Sequence, residues 1–291
     1  MLEWQSAARA SVSVVPPVTP YYTLPATNLL VLRLDFDETN ATQVLDLSGL
    51  GNHASNMPTV GTGPTRMILF TNTEGRTKAA YDLPGGTPYF LLGDPDSLSF
   101  GDGYNDQPFT ICYWMAKNSW TNGTPGMMVI AKGNNTAGSF EYWDGYTEAL
   151  GGKQQNYYVH SRAGDTVVRA VKASGAYDVN PDYVSNWTFW ALSYYPTNSA
   201  TSATNIMRIY IGTLKILEQK TDTIYDNGTS PSYVAMTNTT CPFYIGCYKP
   251  GAYLFEGKIG FMAAWKGTNL GTAELSNVWQ NTLMTNFWLV K

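Results

Sequence analysis

Two aspartates in a glycine-rich loop are the first residues whose types and spacing suggest chemistry. Asp102 and Asp106 lie four residues apart across Gly103, just before an aromatic run that begins at Phe109. This spacing allows both carboxylates to turn toward one ion, with backbone carbonyls completing the oxygen shell that Ca²⁺ prefers. The same pattern is typical of turns in which aspartate carboxylates accept backbone N–H bonds. The sequence therefore predicts either a calcium site or a pair of turn-forming aspartates.

Acidic residues farther along the chain are the nearest candidates for catalysis. Hydrolysis of a glycosidic bond uses two carboxylates that flank the bond. Glu141, Asp144 and Glu148 are the nearest match, but side chains three residues apart on a strand point to opposite faces. The two histidines, His53 and His160, are accompanied by neither a serine elbow nor a helical zinc motif. We therefore predict that the protein is not an enzyme.

Aromatic residues in loop-like sequence are the candidates for carbohydrate binding. Tyrosine and tryptophan rings can stack on sugar rings beside polar loops. Most aromatic residues of a wide β-sandwich instead fill its core or an interface. The residues that the sequence offers for sugar binding are Trp120, Trp143, Tyr146, Tyr177 and Tyr183.

Composition excludes several classes of partner. The formal net charge is −4 and no cluster of Lys and Arg is present, so nucleic acid is not an expected partner. No apolar run reaches the length of about 18 residues that a membrane span requires. The first residues lack the charged and apolar regions of a secretory signal, so none is expected. Aromatic residues make up 14% of the chain beside 27 Gly and 16 Pro, which favours strands over helices.

Strand-like runs follow one another at short intervals and predict an all-β fold, an antiparallel two-sheet sandwich. They lie at 28–36, 65–70, 87–92, 107–117, 126–132, 156–161, 165–171, 186–195, 205–212, 242–248 and 257–265. No linker interrupts them, so residues 29–291 are expected to form one domain. Residues 1–28 differ, because four prolines break any regular element there. They predict an extended N-terminal arm that packs either on its own sandwich or on a neighbouring subunit.

The run at 107–117 predicts a strand that is apolar on both faces. Side chains alternate across a strand, which places one set of residues on one face and a second set on the other. These sets are Phe109, Ile111, Tyr113 and Met115 against Cys112 and Trp114.

One short helix is predicted near the C-terminus. Thr272 can cap it, and an apolar stripe follows at helical spacing. The stripe consists of Leu275, Val278, Trp279 and Leu283. We expect this helix to cover a sheet edge or the loops that connect the strands.

Several segments, in their order along the chain, resemble a known family. The segment DLSGLGNH at 46–53 resembles a D-x-S-G-x-G-N-H turn, and FGDGYNDQPFT at 100–110 matches F-G-x-G-x-x-D-x-P-F-[ST]. NWTFWALSYY at 186–195 resembles a W-x-x-[VL]-A strand, and FEGKIGF at 255–261 resembles an F-x-G-x-I strand. Together these segments resemble the laminin-G-like or concanavalin-A-like jelly-roll domains.

The resemblance implies a jelly roll of two antiparallel sheets, Ca²⁺ near its rim and a non-catalytic binding role. By the family pattern, Glu141 lies on a neighbouring loop or strand and supplies a third carboxylate beside Asp102 and Asp106. The segment at 100–110 also resembles the virion proteins of tailed phages, which share the abundance of Asn, Thr and Tyr. Fold alone does not decide function.

We therefore expect a non-catalytic structural or binding protein on the surface of a virus or phage particle, as a capsid decoration, a fibre or a tail-associated protein. The expected partners are neighbouring subunits, contacted through the arm in an oligomer, and a surface polysaccharide. The alternative is a free lectin-like adhesin, extracellular or at a cell surface, that binds polysaccharide. Ca²⁺ is the expected cofactor in either case.

Overall fold

Two antiparallel sheets make up the part of the chain that the structure, a computed structural model, describes. This part comprises residues 23–37, 42–57, 63–71, 77–85, 88–118, 127–133, 140–147, 154–160, 167–173, 186–196, 206–213, 217–219, 223–225 and 235–282. The sheets pack face to face as a β-sandwich, which confirms the predicted fold class. Within these residues, no helix has both the length and the apolar character needed to cross a bilayer.

The first sheet has eight strands, and its strand β17 has three neighbours. Along one side β17 pairs with β7 over its whole length, and along the other it pairs first with β5 and then with β1. The strands of this sheet are β1 (Leu30–Leu34), β4 (Thr65–Thr71), β5 (Thr77–Pro84), β7 (Phe109–Lys117), β12 (Thr188–Tyr195), β13 (Ile206–Gly212), β14 (Leu217–Gln219) and β17 (Glu256–Lys266).

The second sheet has nine strands in the order β15-β11-β10-β9-β8-β16-β6-β3-β2. Its strands are β2 (Gln43–Val44), β3 (Ala54–Met57), β6 (Tyr89–Leu91), β8 (Met127–Gly133), β9 (Phe140–Thr147), β10 (Gln154–His160), β11 (Val167–Ala173), β15 (Thr223–Tyr225) and β16 (Phe243–Ile245). Neighbouring strands in it are antiparallel.

The main core lies between the two sheets and is rich in aromatic rings. Phe109 of β7 stacks on Phe100 with ring centroids 4.1 Å apart and lies 5.9 Å from Tyr142 of β9. Phe109, Ile111, Tyr113 and Met115 all belong to this core, which confirms their predicted common face. Burial of large aromatic side chains is the dominant favourable term in a sandwich of this kind.

A second apolar cluster covers the outer face of the eight-stranded sheet. Cys112 and Trp114 point into it, together with Leu275 and Val278 of helix α1 (Thr272–Asn281) and Leu24 of the N-terminal segment. Trp279 Nε1 of the helix donates to the Thr213 carbonyl at 2.9 Å, beside the edge strand β14, so the helix does cover a sheet edge and a loop as predicted. It also covers the outer face of the sheet, which the prediction did not include, because the apolar outer side chains of β7 need a cover of their own. Strand β7 is consequently buried on both faces.

The ends of the covering elements are held by specific hydrogen bonds. Gly271 is the N-cap of α1, one residue before the predicted Thr272, and its N–H donates to Glu274 Oε2 at 2.8 Å. Trp265 Nε1 donates to the carbonyl of Pro25 at 2.9 Å. The described chain therefore begins against the outer face of the eight-stranded sheet. Residues 1–22 of the predicted arm lie outside the described residues, and its boundary at residue 28 stays a prediction.

The turn at 46–53 explains one of the sequence motifs. The Asp46 carboxylate accepts hydrogen bonds from the N–H groups of Arg33, Ser48 and Asn52, each at 2.9 Å. The N–H of Asp46 donates to His53 Nδ1 at 2.9 Å. The histidine thus closes the turn.

Buried charge accompanies the end of β1. Asp37 accepts a hydrogen bond from the Ala79 N–H at 2.9 Å and pairs with the buried Lys78 ammonium at 3.3 Å. Burial raises the pKa of the Asp37 carboxyl from its ordinary value of 3.8 to about 6, an effect that the Lys78 charge opposes and the Asp35 charge reinforces.

We predict that removing the outer cover destabilises the whole sandwich. Leu275→Ala should lower the free energy of unfolding by about 2–5 kcal/mol, since it deletes a fully buried side chain and leaves a cavity. Urea unfolding measures this loss. Gln280→Ala, on the exposed side of the same helix, is the control and should change little. Equal effects of the two substitutions would contradict the docking of α1.

We also predict a pH dependence that originates in Asp37. The native state holds the carboxyl proton more tightly than the unfolded chain, so ionisation costs stability as the pH rises from about 4 through about 6. The rise from 3.8 to about 6 corresponds to about 3 kcal/mol at most. Unfolding measured across this range should show the stability of the protein falling relative to Asp37→Asn as the pH increases. A constant difference between the two proteins would contradict the prediction.

Candidate functional site

Asp102 caps its own turn. Its Oδ1 accepts the N–H of Tyr104 at 2.8 Å and that of Asn105 at 2.7 Å. These bonds lower the pKa of the Asp102 carboxyl. Gly101 beside it packs so closely that a Cβ there would lie 2.2 Å from the Met236 carbonyl oxygen, so the loop is pressed against the segment that follows residue 234. The exposed carboxylate has the role of a turn-forming aspartate.

Asp106 is buried behind this turn. Its Oδ1 accepts the N–H of Met236 and its Oδ2 accepts the hydroxyl of Tyr194, both at 2.7 Å. Both carboxylate oxygens therefore have protein donors. The residue joins the loop to the core ring of Tyr194 and to the segment at 235–239.

Glu141 is fully buried at the start of β9. Its Oε1 accepts hydrogen bonds from the N–H and the hydroxyl of Thr239, both at 2.9 Å, and from the Ser99 hydroxyl at 3.2 Å. The Lys132 ammonium lies 3.6 Å from the same oxygen. Burial raises the pKa of the Glu141 carboxyl, and the Lys132 charge and these hydrogen bonds oppose the rise. Oε2 has no hydrogen-bond partner within the described part of the chain.

The described part of the structure does not bring Asp102, Asp106 and Glu141 together as one group of metal ligands. Among the described residues, no group of three or more His, Cys, Asp or Glu side chains is placed to hold a metal ion. Asp102, Asp106 and Glu141 each have their own protein partners, so their donor set does not fit a shared ion. Calcium binding by the protein stays a prediction.

The predicted sugar-binding residues divide into three groups. Trp120, Tyr177 and Tyr183 lie outside the described residues, and Tyr146 belongs to β9. Trp143 points away from the core, because its neighbour Tyr142 belongs to the core and Asp144 accepts a hydrogen bond from the core residue Tyr113. It is half-buried on the outer face of the nine-stranded sheet.

Strand register places Trp143 in a row that crosses this outer face. Trp143 pairs with Ala131, Ala131 with Tyr244, and Tyr244 with Leu91. Directly paired residues of antiparallel strands share a face. Since neighbouring strands lie about 4.8 Å apart, the backbones of Trp143 and Tyr244 are about 10 Å apart. The small side chain of Ala131 lies between them. The four residues span the adjacent strands β9, β8, β16 and β6.

The loop between β16 and β17 adds two rings to the row. Tyr248 lies edge-on to Trp143 at 6.3 Å between ring centroids, and Tyr253 lies edge-on to Tyr248 at 5.3 Å. Tyr253 is 40% exposed. Tyr89 and Tyr244 form a further edge-on pair at 5.8 Å. We call these outer residues of the nine-stranded sheet and its loop, Tyr89, Trp143, Tyr244, Tyr248 and Tyr253, the aromatic face. Tyr89 and Tyr244 are buried under the loop side, Trp143 and Tyr248 are half-buried, and Tyr253 is exposed.

Tyr253 is held in an unusual backbone conformation. Its φ of 51° lies in the left-handed region, which bulky residues rarely adopt. The Tyr253 carbonyl accepts the Met128 N–H at 2.8 Å, and the Tyr248 N–H donates to the Ala252 carbonyl at 3.2 Å. Such strain persists only where the surroundings enforce it, and it clusters at functional positions. The loop therefore presents the exposed ring from a fixed backbone.

Comparison with known proteins supports the fold. The sequence matches no protein-family model and no curated protein. Among solved structures, the binding domain of botulinum neurotoxin serotype G is similar with a TM-score of 0.55 and 12% identity, over 86% of this chain and 50% of that chain. The binding domain of serotype D is similar with a TM-score of 0.50 and 12% identity, over 88% of this chain and 51% of that chain. The chain thus spans about half the length of these domains, and the likeness shows a shared fold.

We predict that Asp106 is structural and that Asp102 contributes far less. Asp106→Ala should lower the free energy of unfolding by about 2–5 kcal/mol, because it leaves the Tyr194 hydroxyl and the Met236 N–H without this acceptor. Asp102→Ala, at an exposed turn, is the control and should cost much less. Unfolding with and without Ca²⁺ checks both variants. The prediction would be contradicted, and the metal site supported, by a different result. In that case Ca²⁺ would stabilise the native sequence, and both substitutions would abolish this gain and lower the free energy of unfolding equally.

Proposed function

We propose that the chain is a non-catalytic binding protein of a virus or phage particle, and that its aromatic face binds polysaccharide. The observation that carries the carbohydrate proposal is the row of rings on the outer side of the nine-stranded sheet, from Trp143 to Tyr253. Aromatic rings with polar tips supply large contact area and hydrogen-bonding groups together. Sugar rings, with one apolar face and a polar edge, match this chemistry.

The position of the face suits display. The other broad surface of the sandwich is covered by α1 and by the segment that contains Leu24 and Pro25. The chain therefore enters the domain on the side opposite the aromatic face. An arm attached there leaves the binding face directed outward, which supports the placement on a particle.

Proteins of similar fold include the receptor-binding domain of botulinum neurotoxin type G, with a TM-score of 0.52, 13% identity and coverage of 86% of this chain and 51% of that chain.

The described carboxylates support a non-catalytic role. Glu141 and Asp144, two of the three acids nearest to a hydrolase pattern, are both fully buried. Glu141 accepts bonds from Ser99 and Thr239, whereas Asp144 accepts a bond from Tyr113. A general acid and its partner must both reach the same glycosidic bond. Two buried carboxylates with separate protein partners do not meet this requirement. Glu148 lies outside the described residues.

We predict that removing a ring from the aromatic face weakens carbohydrate binding. A glycan array identifies the preferred polysaccharide, and calorimetry then measures its affinity for the native sequence and for Trp143→Ala and Tyr253→Ala. Each substitution should weaken binding by about fivefold, because a stacking contact contributes about 1 kcal/mol. Tyr253→Phe should retain most of the affinity, since the stacking surface remains.

The control removes an equivalent ring elsewhere. Tyr104 is 85% exposed on the loop at 101–106, so Tyr104→Ala should bind as the native sequence does. If Trp143→Ala and Tyr253→Ala both bind as tightly as the native sequence, the aromatic face is not the binding site. If no glycan on the array binds, the proposal of a carbohydrate ligand is overturned. Mass spectrometry of purified particles tests the placement separately. Absence of the chain from particles would contradict it and favour the free adhesin.

A further inference from the structure

The Lys132 ammonium is surrounded by oxygens from three other segments of the nine-stranded sheet. Its Nζ lies 2.6 Å from Asp94 Oδ1, 3.0 Å from the Cys241 carbonyl oxygen and 3.6 Å from Glu141 Oε1. The lysine side chain is fully buried, and so is Glu141, while the Asp94 side chain is 30% exposed. A buried charge is stable only when it is paired and hydrogen-bonded.

These oxygens come from the ends of the strands that carry the aromatic row. Lys132 follows Ala131 on β8, and Glu141 precedes Trp143 on β9 by two residues. Cys241 precedes Tyr244 by three residues, and Asp94 follows Leu91 by three. Since β9, β8, β16 and β6 are consecutive neighbours, one ammonium joins all four at the same end.

Backbone bonds tighten the same junction. The Phe243 N–H donates to the Gly93 carbonyl at 2.7 Å, and the Gly133 N–H donates to the Pro242 carbonyl at 3.3 Å. A second lysine lies at the rim, where Lys266 Nζ donates to the Asp96 carbonyl at 3.0 Å. The oxygens around Lys132 are two carboxylates and a backbone carbonyl, which are the ligand types of a Ca²⁺ site.

We propose that the Lys132 ammonium is a built-in cation that replaces a bound metal ion at this rim and fixes the four strands of the aromatic face relative to one another. The part that concerns the aromatic face rests on the proposed function. Of the predicted calcium ligands, Glu141 belongs to the oxygens around Lys132, whereas Asp102 and Asp106 have other partners. Lys132 is a positioning residue for the rings and touches no ligand itself.

Substitution of Lys132 tests the proposal through melting temperature, with Ca²⁺ or with EDTA. The native sequence should melt at the same temperature in both buffers. Lys132→Ala leaves two buried or partly buried carboxylates facing each other without their cation, so it should melt about 10 °C lower in EDTA. Ca²⁺ should restore part of that loss, because the vacated space is lined by oxygens. Lys258→Ala, at a half-buried position of β17 in the other sheet, is the control and should melt close to the native sequence.

A milder variant covers the case in which Lys132→Ala does not fold. Asp94→Asn removes one charge from a partly exposed position and should lower the melting temperature without creating a response to Ca²⁺. If Lys132→Ala or Asp94→Asn melts as the native sequence does, the proposal is overturned. It is also overturned if Ca²⁺ stabilises the native sequence and this gain disappears in Asp94→Asn and Glu141→Gln.

The link to the aromatic face has its own measurement. At a temperature where Lys132→Ala is folded, its polysaccharide affinity should fall by about tenfold in EDTA and recover in Ca²⁺, while Lys258→Ala binds normally. Unchanged affinity in the folded Lys132→Ala protein would overturn the positioning role. The melting measurements require no glycan, so a protein that binds no polysaccharide would overturn the proposed function and leave the built-in cation standing.

Discussion

The structure depends on a central strand, β7, that is buried on both of its faces. The side chains of β7 alternate between two apolar clusters, with Tyr113 in the core between the sheets and Trp114 under α1. A strand of this kind must be covered twice, and the chain uses the second sheet on one side and α1 with the N-terminal segment on the other. Burial of both faces secures the eight-stranded sheet. On the nine-stranded sheet, by contrast, Trp143 of the outer face is half-buried and Tyr253 of the adjoining loop is 40% exposed.

Much of this arrangement is readable in the sequence, because strand periodicity is a local property. Each of the eleven predicted runs contains a strand, and the two faces of β7 follow directly from FTICYWMAK. Strands of two or three residues, such as β2 and β14, carry too few side chains to show a period. Sequence reasoning placed α1 at a sheet edge or loops and missed its cover of the outer face, although Cys112 and Trp114 gave a signal. Two apolar faces on one strand require a cover on the outer side.

The candidate site was less predictable, because it is created by pairing between distant segments. Trp143 is recognisable as a candidate from its own neighbourhood, but its partner Tyr248 comes from a loop more than a hundred residues later. Only the register of β9, β8 and β16 places Trp143, Ala131 and Tyr244 in one row. Tyr253 gives no sequence signal at all, since its φ of 51° is imposed by backbone hydrogen bonds of the folded loop.

The calcium prediction illustrates the same limit on electrostatic inference. A motif shows which oxygens lie close in sequence, whereas the charge that balances them can come from anywhere in the fold. Glu141 is balanced by Lys132 across the pair β9 and β8, and Asp94 reaches the same ammonium from the end of β6. A lysine ammonium is covalently part of the chain, so its presence does not depend on the composition of the solution. The stabilisation that a bound metal ion gives varies with the concentration of free metal. A rim organised in this way keeps the aromatic face in place in media that contain no calcium, which suits a surface exposed to variable surroundings.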